Sequence, residues 1–166
     1  RLAQDHDRKL SVVSTHQECD DGTIYGSHLR DLAVQMDLDL RFFPVPVSTE
    51  PVPVGFPTLA DAYAAADLVC YPSLVEGFGN ALLEAVYYLR PVLVNRYPIY
   101  VSDIAPCGFN FLEIENGRIR TETVDQAEEW LEDPSSWAEL VERNYQIASE
   151  HFSFRILRER VLPLLG

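Results

Sequence analysis

Apolar positions along the chain alternate between short extended runs and segments with helical spacing. Residues 10–15 are rich in β-branched side chains, and residues 39–47 alternate and are rich in Phe and Val. These patterns predict two strands, the second of which ends near Pro44. The second half of residues 17–36 has apolar side chains three and four positions apart, which predicts a helix between the strands. Residues 44–57 form a proline-rich loop.

The middle of the chain predicts a helix, a strand, a buried helix and a second strand, in that order. Thr58 and Asp61 fit a capping box, with a hydroxyl at the helix start and a carboxylate three residues on. Residues 67–71 and 91–95 are short apolar runs, which predict buried strands. Residues 80–89 are apolar almost all round, which predicts a buried helix.

The last third of the chain is predicted to be mostly helical. An Asn-Gly turn at residues 116–117 joins two short extended pieces. Thr123 and Gln126 fit a second capping box, which would begin the next helix. Apolar spacing over residues 137–152 predicts a long amphipathic helix, and Ser153 is expected to cap a final one.

Strands and helices alternate along the whole sequence, which decides the expected fold class. Continuous apolar strands such as residues 91–95 are covered by helices on both faces, as in parallel sheets. We therefore expect an α/β protein with a Rossmann-like, doubly wound parallel sheet in a three-layer α/β/α sandwich. No internal repeat divides the sequence, so residues 1–166 are expected to form a single domain.

Composition and charge exclude several functional classes. The 166 residues are 47% hydrophobic, and 26 acidic residues against 13 basic ones give a formal net charge of −13. A surface this acidic repels a phosphate backbone, so we expect no nucleic-acid partner. No apolar run approaches the roughly 20 residues that a membrane span requires, and we expect no signal peptide.

Cysteines and histidines predict neither disulfides nor a metal site. Cys19, Cys70 and Cys107 are odd in number and widely spaced, which favours a reducing compartment and a cytoplasmic location. The four histidines occur in no HxH or HExxH arrangement. We therefore expect no bound metal.

The candidate chemistry lies in the loop that leads from the strand at residues 67–71 into the buried helix. In an open parallel sheet, ligands bind outside the carboxyl ends of the strands. Gly77 and Gly79 let the backbone pass close to a ligand, and the helix start offers unpaired N–H groups. The helix dipole adds roughly half a positive charge there. Such a loop suits a phosphate or an array of hydroxyls.

Two carboxylates flank this loop. Glu84 stands about one turn into the apolar helix, where side chains tilt toward the helix N-terminus, and a carboxylate there could accept hydrogen bonds from a ribose diol. Glu76 could contact a second sugar or could be a solvated loop residue. Glu84 could instead pair with Arg90 or Arg96, because burying an unpaired carboxylate costs several kcal/mol. The dinucleotide fingerprint lacks its third glycine, since Leu82 stands in that place.

Several short segments between residues 61 and 94 together resemble a known family. They are residues 61–67, 71–73, 76–79, 84–85 and 91–94. They are similar to the C-terminal, donor-binding domain of family 4 retaining glycosyltransferases (glycosyl transferases group 1), enzymes of the two-domain GT-B architecture. Glu76 and Glu84 match the E-x7-E motif of that family.

The resemblance implies a role for each matched position. Glu84 would hold the ribose of a nucleotide sugar, and Glu76, the implied catalytic residue, would hydrogen-bond the transferred hexose. The sugar hydroxyls and the diphosphate would meet the backbone of Gly77, Phe78, Gly79 and Asn80. The base would lie near Pro44. The nucleotide sugar is a substrate, so no cofactor is implied, and no metal is needed because positive groups and the helix dipole stabilise the departing diphosphate.

Departures from the family pattern modify these expectations. Leu89 stands where the family has glycine, in a left-handed cap that costs a non-glycine residue roughly 1 kcal/mol, so we expect this helix to end differently. Residues 95–100 replace the Gly-Gly of the family, which makes Arg96 a candidate phosphate contact. The chain opens on Arg1 without an initiator methionine, and the Arg and Lys that bind diphosphate in the family would precede it.

We therefore expect the nucleotide-sugar-binding half of a retaining glycosyltransferase, which transfers a hexose to an unknown acceptor and is inactive as a fragment. Its expected partners are the nucleotide sugar and a missing N-terminal acceptor domain, with peripheral membrane association through that domain. One alternative is a non-catalytic interaction domain, motivated by the altered residues 95–100. Another is a different GT-B enzyme, such as a sugar-nucleotide epimerase or a phosphorylase, which the Glu-Gly-Phe-Gly run fits less well.

Overall fold

The computed structural model describes residues 10–15, 23–42 and 58–164. The strands are β1 (Ser11–Ser14), β2 (Asp39–Phe42), β3 (Val69–Tyr71), β4 (Val92–Asn95) and β5 (Leu112–Ile114). The helices are α1 (Thr23–Gln35), α2 (Leu59–Ala65), α3 (Asn80–Tyr87), α4 (Thr121–Glu132), α5 (Ala138–Phe152) and α6 (Phe154–Val161). A π-helical turn (Tyr100–Ile104) leads into a 3-10 turn (Ala105–Cys107). The chain forms two compact units, Arg1–Ala62 and Tyr63–Gly166.

In the first unit, β1 and β2 are parallel neighbours joined through α1, as the sequence predicts. Ser11 lies opposite Asp39 in the register, and its hydroxyl donates to the Asp39 carboxylate at 3.0 Å. From α1, the Arg30 guanidinium lies 5.0 Å from the centre of the Phe42 ring on β2. The rest of the strand predicted over residues 39–47, and the proline-rich loop, lie outside the described residues.

The predicted capping box at the start of α2 is confirmed. The Asp61 carboxylate accepts a hydrogen bond from the Thr58 backbone N–H at 2.7 Å, and the Thr58 hydroxyl accepts one from the Asp61 N–H at 3.2 Å. The two residues satisfy donors that the first turn of a helix leaves unpaired. The hydrogen bonds that the Thr58 backbone N–H and hydroxyl donate to the Asp61 carboxylate lower the pKa of that group.

The second unit contains a parallel sheet in the order β3-β4-β5, with β4 in the centre. All of β4 is buried, as its continuous apolar sequence predicts. The helix α4 covers β5 through an apolar cluster of Leu93, Leu112, Ile114, Ala127 and Trp130. Parallel strands end at one edge of the sheet, so the loops after β3 and β4 leave that edge side by side. The α/β class with parallel strands is confirmed.

Three predictions about helix ends are wrong. The helix α4 begins at Thr121, so Thr123 lies buried inside its first turn and Gln126 donates to Glu129 rather than to a helix start. The second capping box is therefore absent, because the backbone enters the helix three residues earlier.

The start of α6 and the end of α3 also differ from the predictions. Ser153 lies at the N-cap position of α6, but its side chain makes no capping hydrogen bond. Leu89 does adopt the left-handed conformation, with φ of 53°, despite its side chain.

Asn144, on α5, holds the approach to β5 by two hydrogen bonds. Its side-chain oxygen accepts from the Asn110 N–H at 2.8 Å, and its side-chain nitrogen donates to the Asn110 carbonyl at 2.9 Å. Asn144 is 1% exposed, so water cannot replace it as the partner of the Asn110 N–H and carbonyl.

We predict that Asn144→Ala lowers the free energy of unfolding by about 2 to 3 kcal/mol, because two backbone groups lose their partners. Urea unfolding followed by the fluorescence of Trp130 and Trp137 measures the change. Asn110→Ala is the matched control, because the backbone of Asn110 makes these bonds and its own side chain is exposed. An equal loss of unfolding free energy in both variants would contradict the role given to the Asn144 side chain.

Candidate active site

The loop after β3 turns into α3 through a left-handed glycine. Gly79 has φ of 93°, precedes the first helical residue Asn80, and provides no side-chain cap. A Cβ at Gly79 would collide with the Tyr97 hydroxyl and contact the Tyr71 ring. Glycine is therefore required here both by the backbone angle and by space.

Gly77 differs from Gly79 in both respects. Its φ lies outside the left-handed region, and a Cβ built there would meet no atom within 4 Å. The fold therefore does not require glycine at this position. The backbone of the loop is open on this side, which would allow a ligand to approach it closely.

Glu84 lies half-buried on α3 with a phenol as its partner. The Tyr63 hydroxyl is 3.1 Å from the Glu84 carboxylate and 3.1 Å from the Ala81 carbonyl, so its single proton serves one of these acceptors at a time. Burial, and then the charge of Glu84, raise the pKa of Tyr63. The Tyr63 ring is stacked on Tyr88 with ring centres 5.2 Å apart, which fixes the hydroxyl.

The guanidinium groups proposed as alternative partners for Glu84 are bound elsewhere. Arg90 donates to the carbonyls of Tyr88 and Ala66, at 2.9 and 3.2 Å. Arg96 donates to the Glu113 carboxylate at 2.6 Å. Among the described residues, the side-chain donor to Glu84 is thus the neutral Tyr63, which leaves further acceptor positions on the carboxylate.

Glu76, in the middle of the loop, also lies beside a phenol. Burial, and then the nearby Glu76 carboxylate, raise the pKa of the Tyr71 hydroxyl at the end of β3. Burial, with the charge of Glu76, raises the pKa of Tyr97 to about 12. Both members of the Glu76 and Glu84 pair therefore lie near tyrosine hydroxyls, and Glu84 is hydrogen-bonded to one.

Arg96 is half-buried and paired with a carboxylate. Glu113 on β5 accepts from Arg96 at 2.6 Å and from the Tyr100 hydroxyl at 2.7 Å. Arg96 also lies 4.0 Å from Glu115. A phosphate at Arg96 would compete with Glu113 for the guanidinium, and the phosphate contact stays a prediction.

Phe78 joins the loop to the end of α5. Its ring meets Phe152 edge-on, with ring centres 5.2 Å apart. A groove of about 410 Å³ lies beside this contact, lined by Phe78, Asp103, Cys107, His151, Phe152 and Arg160. The contact between the two rings therefore holds the loop around Phe78 against the end of α5.

Sequence reasoning did not identify Tyr97, Tyr71, Tyr63 and Asn95 as residues that support the site. The only local signal is at Tyr97, an aromatic residue two positions after an entirely buried strand, where the expected glycines are absent. Pro44, the predicted contact for the base, lies outside the described residues. Within the described ranges, no group of three His, Cys, Asp or Glu side chains is arranged to hold a metal ion. No helix in those ranges is long and apolar enough to cross a membrane.

Comparison with known sequences decides the family. The sequence profile of the family described as glycosyl transferases group 1 matches residues 24–133, well over half of the chain. The chain belongs to this family. The match includes the loop after β3 and the helix α3, so the glycosyltransferase resemblance drawn from residues 61–94 is confirmed at the level of the group.

Curated relatives within this group include two mannosylglucosylglycerate synthases. The protein of Thermotoga maritima is 39% identical over 117 residues, and that of Petrotoga mobilis is 31% identical over 172 aligned positions covering 96% of this chain. A D-inositol 3-phosphate glycosyltransferase of Saccharomonospora viridis is 35% identical over 101 residues, 58% of this chain. The chain spans 27%, 39% and 22% of the lengths of these relatives, respectively.

Two solved structures share the fold of this chain. HepE of Anabaena, crystallised in complex with UDP and glucose, superimposes with a TM-score of 0.69 at 19% identity, covering 95% of this chain and 40% of its own. WaaG, a glycosyltransferase involved in lipopolysaccharide biosynthesis, gives 0.63 at 18% identity, covering 95% of this chain and 38% of its own. The Rossmann-like fold expected from the GT-B resemblance is thereby confirmed.

We predict that Gly79→Ala lowers the free energy of unfolding by about 2 kcal/mol or more, because strain at positive φ adds to the collision with Tyr97. Gly77→Ala is the matched control in the same loop, and its effect should stay within about 0.5 kcal/mol. Urea titration of both variants measures the difference. Similar stability of the two proteins would contradict the described geometry of the turn.

Proposed function

We propose that the chain is the donor-binding half of a family 4, retaining glycosyltransferase, which transfers a hexose from a nucleotide sugar. The observation that carries the proposal is the pair of carboxylates, Glu76 and Glu84, on either side of a glycine turn and a helix start, with Glu84 hydrogen-bonded to the Tyr63 phenol and Glu76 near Tyr71. A sugar-diphosphate-ribose ligand needs acceptors for hydroxyls at its two ends and donors for its charged centre. Carboxylates at the ends and backbone N–H groups between them meet that requirement.

Glu84 would hold the ribose. Tyr63 occupies one acceptor position of its carboxylate, and the remaining ones suit the paired hydroxyls of a ribose diol. Because its partner is a neutral hydroxyl, the full negative charge strengthens those hydrogen bonds.

Glu76 would hydrogen-bond the transferred hexose and act as the catalytic residue of the motif. Its carboxylate lies near the Tyr71 hydroxyl and next to Gly77 in the loop, where the open backbone would allow a sugar ring to approach. The backbone of Gly77, Phe78, Gly79 and Asn80 would meet the sugar hydroxyls and the diphosphate.

The start of α3 would stabilise the diphosphate without a metal ion. Gly79 has no side chain to compete for the first N–H groups of the helix, and the helix dipole adds positive charge there. Arg96 would add a phosphate contact on leaving Glu113. The synthase names of the curated relatives support hexose transfer, and the nucleotide sugar is the substrate, with no further cofactor.

The domain is also expected to have a partner domain and a cellular location that its relatives and its cysteines suggest. We propose an N-terminal acceptor domain as the partner, since the chain spans 39% or less of the curated relatives' lengths. Peripheral membrane association would occur through that domain. The thiols of Cys70 and Cys107 are free, which supports a cytoplasmic location.

We predict saturable binding of a nucleotide sugar by the 166-residue chain. Isothermal titration calorimetry with UDP-, GDP- and ADP-hexoses measures it, and we expect one base to bind at least about tenfold more tightly than the others, a difference of about 1.4 kcal/mol. A folded sample that binds none of the three would contradict the proposal.

We predict that Glu84→Gln weakens nucleoside diphosphate binding about tenfold, because a charge-assisted hydrogen bond is about twice as strong as a neutral one. The loss should vanish with the 2′,3′-dideoxy analogue, which lacks the diol. Glu139→Gln, an exposed residue on α5, is the control for the change in net charge. If Glu84→Gln melts far lower and binds the diphosphate normally, Glu84 has a structural role only.

A further inference from the structure

The end of β4 holds both ends of the loop formed by residues 72–79. The Asn95 side-chain nitrogen donates to the Ser73 carbonyl at 3.0 Å, and the Tyr97 hydroxyl donates to the Phe78 carbonyl at 3.0 Å. Asn95 is 4% exposed and Tyr97 is 0% exposed, so water does not compete for either bond. The loop is therefore attached at its start and at its finish to the central strand of the sheet.

Tyr97 is itself held in one position. Its ring meets Tyr71 edge-on with centres 6.1 Å apart, and lies against Tyr100 at 5.8 Å. Gly79 packs directly on the Tyr97 hydroxyl, and no Cβ would fit between them. A buried ring with aromatic neighbours on two sides cannot leave its rotamer without opening the core. The Phe78 carbonyl therefore has a fixed donor.

The centre of the loop lacks comparable support. Leu74 is 67% exposed and Val75 is 83% exposed, so this segment gains little from burial of apolar side chains. Segments with little buried apolar surface open most readily from the native state. The hydrogen bonds from Asn95 and Tyr97 consequently decide how well the backbone around Glu76 and Gly77 is ordered.

We propose that Tyr97 is a positioning residue for the nucleotide-sugar site, with Asn95 as its counterpart at the start of the loop. This inference rests on the proposed function. It means that residues 95–100, which stand where the family pattern has glycines, hold the loop of residues 72–79 in place. By fixing the Phe78 carbonyl and the Gly79 turn, Tyr97 orders Glu76 and the start of α3 before the ligand arrives. Ordering a loop in advance removes a cost that binding would otherwise carry.

The test compares Tyr97→Phe with Tyr100→Phe. Both changes remove one buried hydroxyl and keep the ring, but the Tyr100 hydroxyl donates to Glu113 at 2.7 Å and not to the loop, and Glu113 retains Arg96. Hydrogen exchange of the unliganded chain, read on peptides that cover residues 72–80, reports the order of the loop. Calorimetry with the nucleotide sugar that binds the unmodified chain best reports the effect on the site.

We predict that Tyr97→Phe raises exchange of the loop amides about fivefold to tenfold and weakens nucleotide-sugar binding by a similar factor, the equivalent of one net hydrogen bond. Tyr100→Phe should lower the melting temperature comparably and leave both readouts within about twofold of the unmodified chain, because the phenylalanine ring keeps its contact with Tyr97 and the lost hydroxyl bonds to Glu113, outside the loop. Both variants should lose thermal stability. A difference between them in loop exchange and in affinity therefore cannot come from lower stability alone.

The outcomes separate this inference from the proposed function. Unchanged loop exchange in Tyr97→Phe would overturn the role of Tyr97 whatever the binding result. Raised exchange with unchanged affinity would show that nucleotide-sugar binding does not depend on the order that Tyr97 gives the loop. That result would overturn the positioning role. If the unmodified chain binds no nucleotide sugar, the proposed function and the positioning role both fail, and the exchange data still show whether Tyr97 holds the loop.

Discussion

The contact between Gly79 and the buried Tyr97 hydroxyl is the constraint on which the candidate site depends. The central strand β4 is completely buried, so Tyr97, two residues beyond its end, starts from a fixed position. Because Gly79 rests on that hydroxyl, the first turn of α3 has a defined place relative to the sheet. The direction of the helix dipole and the position of Glu84, one turn further on, follow from it.

The carboxylates of the second unit are stabilised in two different ways, and the difference bears on function. Glu113 is neutralised by Arg96 and also accepts from Tyr100. Glu76 and Glu84 instead have neutral phenols near them and no cationic partner among the described residues. In a chain with a net charge of −13, carboxylates without a cationic partner add to the repulsion among acidic groups, which costs stability. Such a cost is typical of positions whose charge serves a ligand.

Local patterns were sufficient for most of the described elements and for the turn on which the candidate site is proposed. A continuous apolar run identified β4, and two glycines before an apolar helix identified the turn into α3. The supporting tyrosines were not predictable in the same way, because the bond from Tyr97 to Phe78 spans 19 positions and leaves no periodic signal. The start of α4 was misplaced for a related reason: a hydroxyl caps a helix only if the backbone enters there, and tertiary packing decides that point.

At each end of α3, one residue adopts the left-handed backbone conformation, yet only the N-terminal position requires glycine. At the far end, Leu89 has φ of 53°, and the Leu89 and Arg90 N–H groups donate to the carbonyls of Val86 and Ala85 at 3.0 Å each. This Schellman pairing satisfies the last carbonyls of the helix and offsets a strain of about 1 kcal/mol, so a leucine is tolerated. At Gly79, where φ is 93°, a side chain would collide with the Tyr97 hydroxyl and has no room. The requirement for glycine at the site is therefore set by Tyr97 as much as by the backbone, which ties the turn to the residue that supports it.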